Sequence, residues 1–121
     1  MANTGIKVMT ASELKELISH KEVVLADFSA TWCGPCQTMG PIVERLAARF
    51  AGRAGVVKID VDQAGELASA YGVRSVPTFL LFADGQVVER VVGATSETSL
   101  AAVIETQLVP ARNDSRPIAA V

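Results

Sequence analysis

Apolar and polar residues alternate along this chain at two spacings, one typical of helices and one of buried strands. Near the N-terminus an apolar stripe begins at Leu14, just after Thr10 and Glu13. The Thr-x-x-Glu spacing is that of a capping box, in which each residue satisfies a free backbone N–H of the other. It predicts a first helix that ends at about His20.

Several apolar runs have the length of strands and are bounded by turn residues. We expect buried strands over 23–29 and 56–61, because both runs are rich in β-branched residues. Two more strands, over 78–83 and 87–92, flank Asp84-Gly85, and this dipeptide favours a tight hairpin. A short additional strand is expected over 6–8, which makes five in all.

Three later segments carry apolar residues at helical spacing. The segment from 34 to about 50 contains Pro41, which we expect to kink the helix. A short helix over 66–71 ends at Gly72, and the last helix is capped by Thr95 or Ser96 and continues to Leu108. Strands and helices alternate before the hairpin, which predicts an α/β fold with a mixed sheet and four helices on its two faces.

Composition narrows the class of protein. The chain has 121 residues, half of them hydrophobic, and a net charge of −2. This suits one globular domain over 1–108, followed by a flexible tail over 109–121 where the apolar pattern ends. The charge favours neither nucleic acid nor an anionic membrane as a partner. No secretory signal and no membrane span is visible, and two cysteines do not make a disulfide scaffold, so a reducing cytoplasm is expected.

The only two cysteines lie in the segment Trp32-Cys33-Gly34-Pro35-Cys36. A C-x-x-C pair at a predicted strand-to-helix junction is typical of thiol–disulfide exchange. The two thiols lie about one helical turn apart, so a disulfide can close between them. Cys33 falls at the helix start, where free N–H groups and the helix dipole favour a thiolate. We therefore expect Cys33 to attack a substrate and Cys36, one turn deeper, to resolve the product.

A structural bridge and a zinc site are the two alternatives to a redox-active cysteine pair. A purely structural bridge would close only four residues, which restrains the unfolded chain by roughly 2 kcal/mol at most. A zinc site needs four ligands, whereas the chain offers two cysteines and a single histidine, His20, on a separate helix. Both alternatives are weaker than a redox-active pair.

Two charged residues lie inside predicted strands. Asp27 interrupts a run that should be buried on both faces, so desolvation should raise its pKa. Such a carboxyl could exchange a proton with Cys36 near neutral pH, or it could be a strand-end group bonded to backbone. Lys58, in the next strand, could pair with Asp27 or point to solvent.

For several other polar, proline and glycine positions, the local sequence pattern indicates only structural roles. Asp60 and Asp62 are expected to be solvated or capping groups at a strand end. Pro77 opens a strand, where its missing N–H does least harm, and a trans peptide bond is the default. Gly93 could be a turn glycine with positive φ.

These residues together resemble the thioredoxin family over about 6–108, and the match is in constant register. The resemblance rests on the buried acid, the active-site loop, the helix proline, the facing lysine, the strand proline, the hairpin glycine and a flanking loop: Asp27, Trp32 to Cys36, Pro41, Lys58, Pro77, Gly85, Gly93 and Ala94. It implies that Asp27 handles the proton, that Lys58 faces it, and that Pro77 is cis.

The resemblance also implies a function. It predicts a protein-disulfide reductase that acts through Cys33 and Cys36, needs no bound cofactor, works as a monomer, and is itself reduced by a thioredoxin reductase. Disulfide-containing proteins would dock on a flat apolar surface formed by Trp32, Gly34, Pro35, Val76, Pro77, Gly93 and Ala94, with backbone groups of Val76 pairing to an extended segment.

The chain departs from the family pattern at two positions. Ser29 stands where a second tryptophan is frequent, and Gln37 stands where a basic residue often follows the second cysteine. Losing that cation should weaken support for the Cys33 thiolate by a few tenths of a kcal/mol. The rival hypotheses are an oxidase or isomerase of the same fold, and an interaction subunit that borrows the fold.

Overall fold

A computed structural model describes residues 10–20 and 23–108 of the chain. The elements follow in the order α1 Ala11–His20, β1 Val23–Ser29, α2 Gly34–Arg49, β2 Gly55–Asp60, α3 Gly65–Ala70, β3 Thr78–Ala83, β4 Gln86–Val92 and α4 Glu97–Glu105. Helices and strands thus alternate up to the β3–β4 hairpin, which confirms the predicted α/β class.

The four described strands form one mixed sheet in the order β2-β1-β3-β4. β1 runs parallel to β2 and antiparallel to β3, and β4 returns antiparallel at the edge. The hairpin turn holds Asp84 at φ 53° and Gly85 at φ 84°. Successive left-handed residues are what a tight hairpin requires, so the hairpin predicted from Asp84-Gly85 is confirmed.

Each face of the sheet carries its own hydrophobic cluster, because alternate strand residues point to opposite faces. One cluster packs α2 and α4 on the sheet and includes Phe50, Phe79 and Leu100. The other packs α1 and α3 and includes Leu14 and Phe28. β1 and β3 are buried along their whole length, whereas β4 is largely exposed.

The first helix begins as its capping box predicts. The backbone N–H of Glu13 donates to Thr10 Oγ1 at 3.2 Å, and that of Thr10 donates to Glu13 Oε1 at 3.0 Å. The last helix is capped by Ser96, whose Oγ accepts from the N–H of Ser99 at 3.0 Å. Ser96, rather than Thr95, is therefore the cap.

Some predicted boundaries need correction. The described part of the chain contains four strands instead of five, and the expected strand over 6–8 lies outside it. The last helix ends at Glu105, so Leu108 follows it in a turn. The predicted tail over 109–121 also lies outside the described residues. Among residues 10–20 and 23–108, no helix is long and apolar enough to cross a membrane.

Candidate active site

The two cysteines lie at the junction of β1 and α2 and are joined as a disulfide, with their Cα atoms 5.2 Å apart. Cys33 is the N-cap of α2, in extended conformation at φ −93° and ψ 115°, and Pro35 follows in the first turn. Proline is suited to that turn because its missing N–H would have had no partner there. The buried strand therefore delivers the pair to a helix start, as predicted.

The sulfur of Cys33 accepts the hydrogen bond that the side-chain oxygen of an N-cap residue normally accepts. The backbone N–H of Cys36 donates to Cys33 Sγ at 3.1 Å. Sγ also lies 3.8 Å from the carbonyl oxygen of Val76, which precedes Pro77 in a cis peptide bond. A hydrogen bond donated to sulfur stabilises the anion more than the neutral thiol, so this geometry supports a thiolate once the bridge is open.

Exposure does not distinguish the two sulfurs in the way the sequence suggested. Cys33 is 5% exposed and Cys36 is 3% exposed, so both are buried. Their surroundings differ instead, because Cys36 lines one depression, whereas Trp32 and Val76, which lie next to Cys33, line another. The two cysteines differ further in that Cys33, and not Cys36, is the capping residue of α2.

A polar cleft of about 270 Å³ borders Cys36. We call it the polar cleft, and it is lined by Ser29, Ala30, Thr31, Cys36, Gln37, Lys58 and Asp60. It connects the second sulfur to a lysine, a carboxylate and hydroxyl groups. Such a lining can hold water and pass protons, which an apolar lining cannot do.

Asp27 lies beside this cleft in the sheet, directly opposite Lys58 in the β1–β2 register. It is 1% exposed, and its Oδ1 has no hydrogen-bond partner. Burial raises the pKa of Asp27 from 3.8 to about 7, and the positive charge of Lys58 opposes part of that rise. Asp27 lies inside β1 rather than at its end and Oδ1 is unpaired, which counts against the alternative of a strand-end carboxyl bonded to backbone. Lys58 is half-buried and acts on the carboxyl through its charge.

A second depression borders Cys33 on its Val76 side. This apolar groove, of about 370 Å³, is lined by Trp32, Val61, Val73, Arg74, Ser75 and Val76. Trp32 is 68% exposed. Of the six residues only Trp32 and Val76 were expected from the sequence. The others lie on loops that only the folded chain brings beside the cysteines.

Trp32 is fixed by a carboxylate that sequence reasoning assigned to solvent or capping. The indole Nε1–H of Trp32 donates to Asp62 Oδ2 at 2.7 Å, and Asp60 Oδ1 accepts from the N–H of Asp62 at 2.9 Å. Asp60 is thus a turn-capping group, whereas Asp62 positions the indole. The two partners are thirty residues apart, and no local pattern connects them.

Among the remaining predicted surface residues, Gly34 and Pro35 are exposed, whereas Pro77 is buried. A Cβ placed on Gly34 would meet nothing within 4 Å, so the space next to this residue of the active-site loop is unobstructed. Gly93 has φ +96° and its N–H donates to the carbonyl of Pro77 at 2.8 Å, which ties its loop to the cis proline. Ala94 beside it is exposed.

The two departures from the family pattern both lie in the polar cleft. Ser29 is 2% exposed, and a serine there leaves open a space that an indole would fill. Gln37 donates from Nε2 to the carbonyl of Thr31 at 2.7 Å. This bond closes the active-site loop across the disulfide, so Gln37 contributes a loop contact where a cation was expected.

The alternative of a metal site gains no support. Within the described residues there is no cluster of three or more His, Cys, Asp and Glu side chains that could hold a metal ion. His20 lies near Glu16 on α1, with 3.4 Å between Nε2 and Oε2.

Comparison with known proteins agrees with this geometry. The family model described as Thioredoxin matches residues 5–106. Thioredoxin 1 of Nostoc sp. is 42% identical over 101 residues, which cover 83% of this chain and 94% of that relative. A thioredoxin of Staphylococcus aureus is 46% identical over 86 residues, covering 71% and 83%.

Solved structures give the same result. A point-mutant thioredoxin from Halobacterium salinarum superposes with a TM-score of 0.82 at 49% identity, covering 90% of this chain and 96% of that one. The X-ray structure of Fasciola hepatica thioredoxin has a TM-score of 0.76 at 40% identity, covering 83% and 96%.

Proposed function

This chain belongs to the thioredoxin family of thiol–disulfide oxidoreductases, and we propose that it reduces protein disulfides with Cys33 as nucleophile and Cys36 as resolving thiol. The observation that carries the assignment of roles is the bond from the N–H of Cys36 to Cys33 Sγ at the start of α2. It favours negative charge on Cys33 specifically, and the thiolate is the attacking species.

The first step is an exchange of sulfur–sulfur bonds. The Cys33 thiolate attacks one sulfur of the substrate disulfide, a mixed disulfide forms, and the other substrate sulfur leaves as a thiolate that takes a proton from water. The apolar groove and the open space at Gly34 give an extended segment room to approach. Backbone groups of Val76, together with the surface around Pro35, Pro77, Gly93 and Ala94, hold that segment beside the sulfur.

The second step needs a proton to leave Cys36. Asp27, with its pKa raised to about 7, is ionised in part of the molecules at neutral pH and accepts this proton through the polar cleft. The charge of Lys58 stabilises the ionised form of the carboxyl. The Cys36 thiolate then attacks Cys33 Sγ, and the second substrate sulfur leaves. Two electrons have passed to the substrate, and the protein holds the Cys33–Cys36 disulfide.

The cycle closes when a partner reduces this disulfide. We assign that task to a thioredoxin reductase, as the family implies, and place the protein in a reducing compartment such as the cytoplasm. It would act there as a monomer without a bound cofactor, because the thiols themselves carry the electrons. The polypeptide region responsible is 1–108, and the segment 109–121 is not needed for the chemistry.

Reduction of insulin disulfides driven by dithiothreitol tests the proposal. The wild type should accelerate the reaction, and Cys33→Ser and Cys36→Ser should each reduce the rate to that of dithiothreitol alone. Lys15→Ala is a matched control, because Lys15 is exposed on α1 and lines neither the polar cleft nor the apolar groove. Sustained turnover by Cys33→Ser would refute the assignment of the nucleophile.

A further inference from the structure

The apolar groove has one charged side chain in its lining, Arg74. Among the five described arginines, Arg45, Arg49 and Arg53 pair with glutamates of α4, and Arg90 donates to a backbone carbonyl. Within the described part of the chain, the guanidinium of Arg74 has neither an ion pair nor a hydrogen bond, and it is exposed. It is therefore available to a docked segment.

The loop that carries Arg74 is held on its N-terminal side. The N–H of Val73 donates to the carbonyl of Ala68 at 2.8 Å, and Arg90 Nη2 donates to the carbonyl of Tyr71 at 2.7 Å. Gly72, at φ +70°, makes the turn that these bonds close. A fixed loop presents its guanidinium without an added cost of ordering backbone on binding.

The same loop is anchored on its other side. Thr78 Oγ1 donates to the carbonyl of Ser75 at 2.7 Å, just before the cis peptide at Pro77. Val76 follows Arg74 by two residues and its carbonyl lies 3.8 Å from Cys33 Sγ. A segment that reaches Cys33 along this groove therefore meets a lining that includes both Val76 and Arg74.

Opposite charges lie at two places around the groove. Arg74 lines it from the α3–β3 loop, whereas Asp62 accepts the hydrogen bond of the Trp32 indole, another lining residue. A carboxylate on the docked segment would be attracted to the Arg74 side and repelled from the Asp62 side. This polarity can select the charge of the segment and the direction in which it lies.

We propose that Arg74 is a specificity-determining residue, which directs the protein to disulfides whose cysteine is flanked by acidic side chains in an extended segment. This inference rests on the proposed function and narrows its substrate class. The preference is a local effect, because the net charge of −2 would by itself repel an acidic segment.

The test uses three synthetic peptides that each carry one cysteine, blocked as a disulfide with 2-mercaptoethanol. Both neighbours of the cysteine are glutamate, glutamine or lysine. Pre-reduced full-length protein is mixed with each peptide, and release of the peptide thiol is followed by chromatography. Each rate is divided by that of dithiothreitol with the same peptide, which corrects for the effect of charge on the reactivity of the disulfide itself.

At low salt the wild type should reduce the glutamate peptide about two- to fivefold faster than the lysine peptide, the range expected for one exposed ion pair. Arg74→Glu should reverse that order, and Arg74→Gln should remove the preference for the glutamate peptide. Lys15→Glu changes the net charge by as much as Arg74→Glu does, but Lys15 lines a different cleft, together with Glu66 and Tyr71 among others. This variant should keep the wild-type order. Raising the salt should reduce the preference.

Two failures are distinguishable. If the wild type reduces all three peptides at equal corrected rates, or if Arg74→Glu keeps the wild-type order, the inference about Arg74 is wrong while the proposed function stands. If the wild type reduces none of the peptides faster than the reagent background, the proposed function fails and the specificity proposal fails with it.

Discussion

The two depressions that flank the disulfide differ in almost every physical property. The polar cleft beside Cys36 is lined by hydroxyl, amide and charged groups and lies next to a buried carboxyl. The apolar groove beside Cys33 is lined by an indole and three valines, with a single cation. In the function that we propose, one side serves proton transfer and the other holds a polypeptide.

This difference explains how two chemically identical sulfurs can do different work. The sequence places them three residues apart at one helix start, where both are almost fully buried. The roles that we propose for them rest on the depression next to each cysteine and on one hydrogen bond to Cys33 Sγ. Variants that alter one side and leave the other intact should therefore separate the two roles.

The largest expected effect comes from removing one sulfur. Cys36→Ser should capture a disulfide substrate as a stable mixed disulfide, because Cys33 still attacks and nothing resolves the product. Cys33→Ser should capture none. Mass spectrometry of each variant after incubation with oxidised insulin measures this directly, and equal capture by the two variants would contradict the division of roles.

Asp27 should make the stability of the oxidised protein depend on pH. Its folded pKa of about 7 lies above the ordinary value of 3.8. Between pH 3.8 and about 7 the carboxyl is therefore protonated in the folded state and ionised in the unfolded state. The contribution of this pKa shift to stability is fully present below about pH 3.8 and is lost as the pH rises to about 7. The loss lowers the free energy of unfolding by roughly 4 kcal/mol.

Asp27→Asn removes this titration and is the matched variant. Urea unfolding between pH 4 and 8 should show a steep decline for the wild type and a nearly flat profile for the variant. The variant should also resolve mixed disulfides more slowly, since the proton acceptor for Cys36 is lost. Parallel profiles for the two proteins would contradict a raised pKa for the Asp27 carboxyl in the folded state.

On the groove side, Asp62 should affect the binding of large substrates more than the chemistry. Asp62→Ala removes the acceptor of the Trp32 indole, a bond worth about 1 kcal/mol in an exposed setting. The KM for insulin should rise about two- to fivefold, while the rate with bis(2-hydroxyethyl) disulfide, which is too small to fill the groove, stays the same. Asp62→Asn keeps an oxygen acceptor and should retain most of the affinity. An equal loss with both substrates would place Asp62 in the chemistry instead.

The smallest effect is expected at Gln37. Gln37→Lys supplies the cation that often follows the second cysteine, but it loses the bond to the Thr31 carbonyl. The two changes oppose each other, and each is worth a few tenths of a kcal/mol at an exposed helix end. Reactivity of Cys33 toward iodoacetamide at pH 7 should therefore change by less than about twofold. A tenfold change would mean that Gln37 controls the thiolate.

Much of the fold could be predicted because its signals are local. The capping box at Thr10 and Glu13, the Asp84-Gly85 turn and the apolar run of β1 each depend on neighbouring residues. The redox role of the cysteine pair was equally accessible, since its spacing and its place at a helix start are encoded within a few residues.

The surroundings of the pair could not be predicted in the same way. The contact of Asp62 with Trp32 and the placement of Arg74 in one groove with Trp32 depend on how loops from different strands meet. The position of Asp27 opposite Lys58 depends on strand register, which the hydrophobic pattern alone left open. Only the family resemblance pointed to the cis bond at Pro77, because most X–Pro bonds are trans.

Competitive alkylation of the fully reduced protein at pH 7, with peptide mapping of each site over time, tests the central claim most directly. The hydrogen bond from Cys36 N–H and the helix start should keep Cys33 ionised, so it should be labelled much faster than Cys36 and faster than a free cysteine peptide. Labelling of Cys33 no faster than that peptide, or preferential labelling of Cys36, would contradict the account.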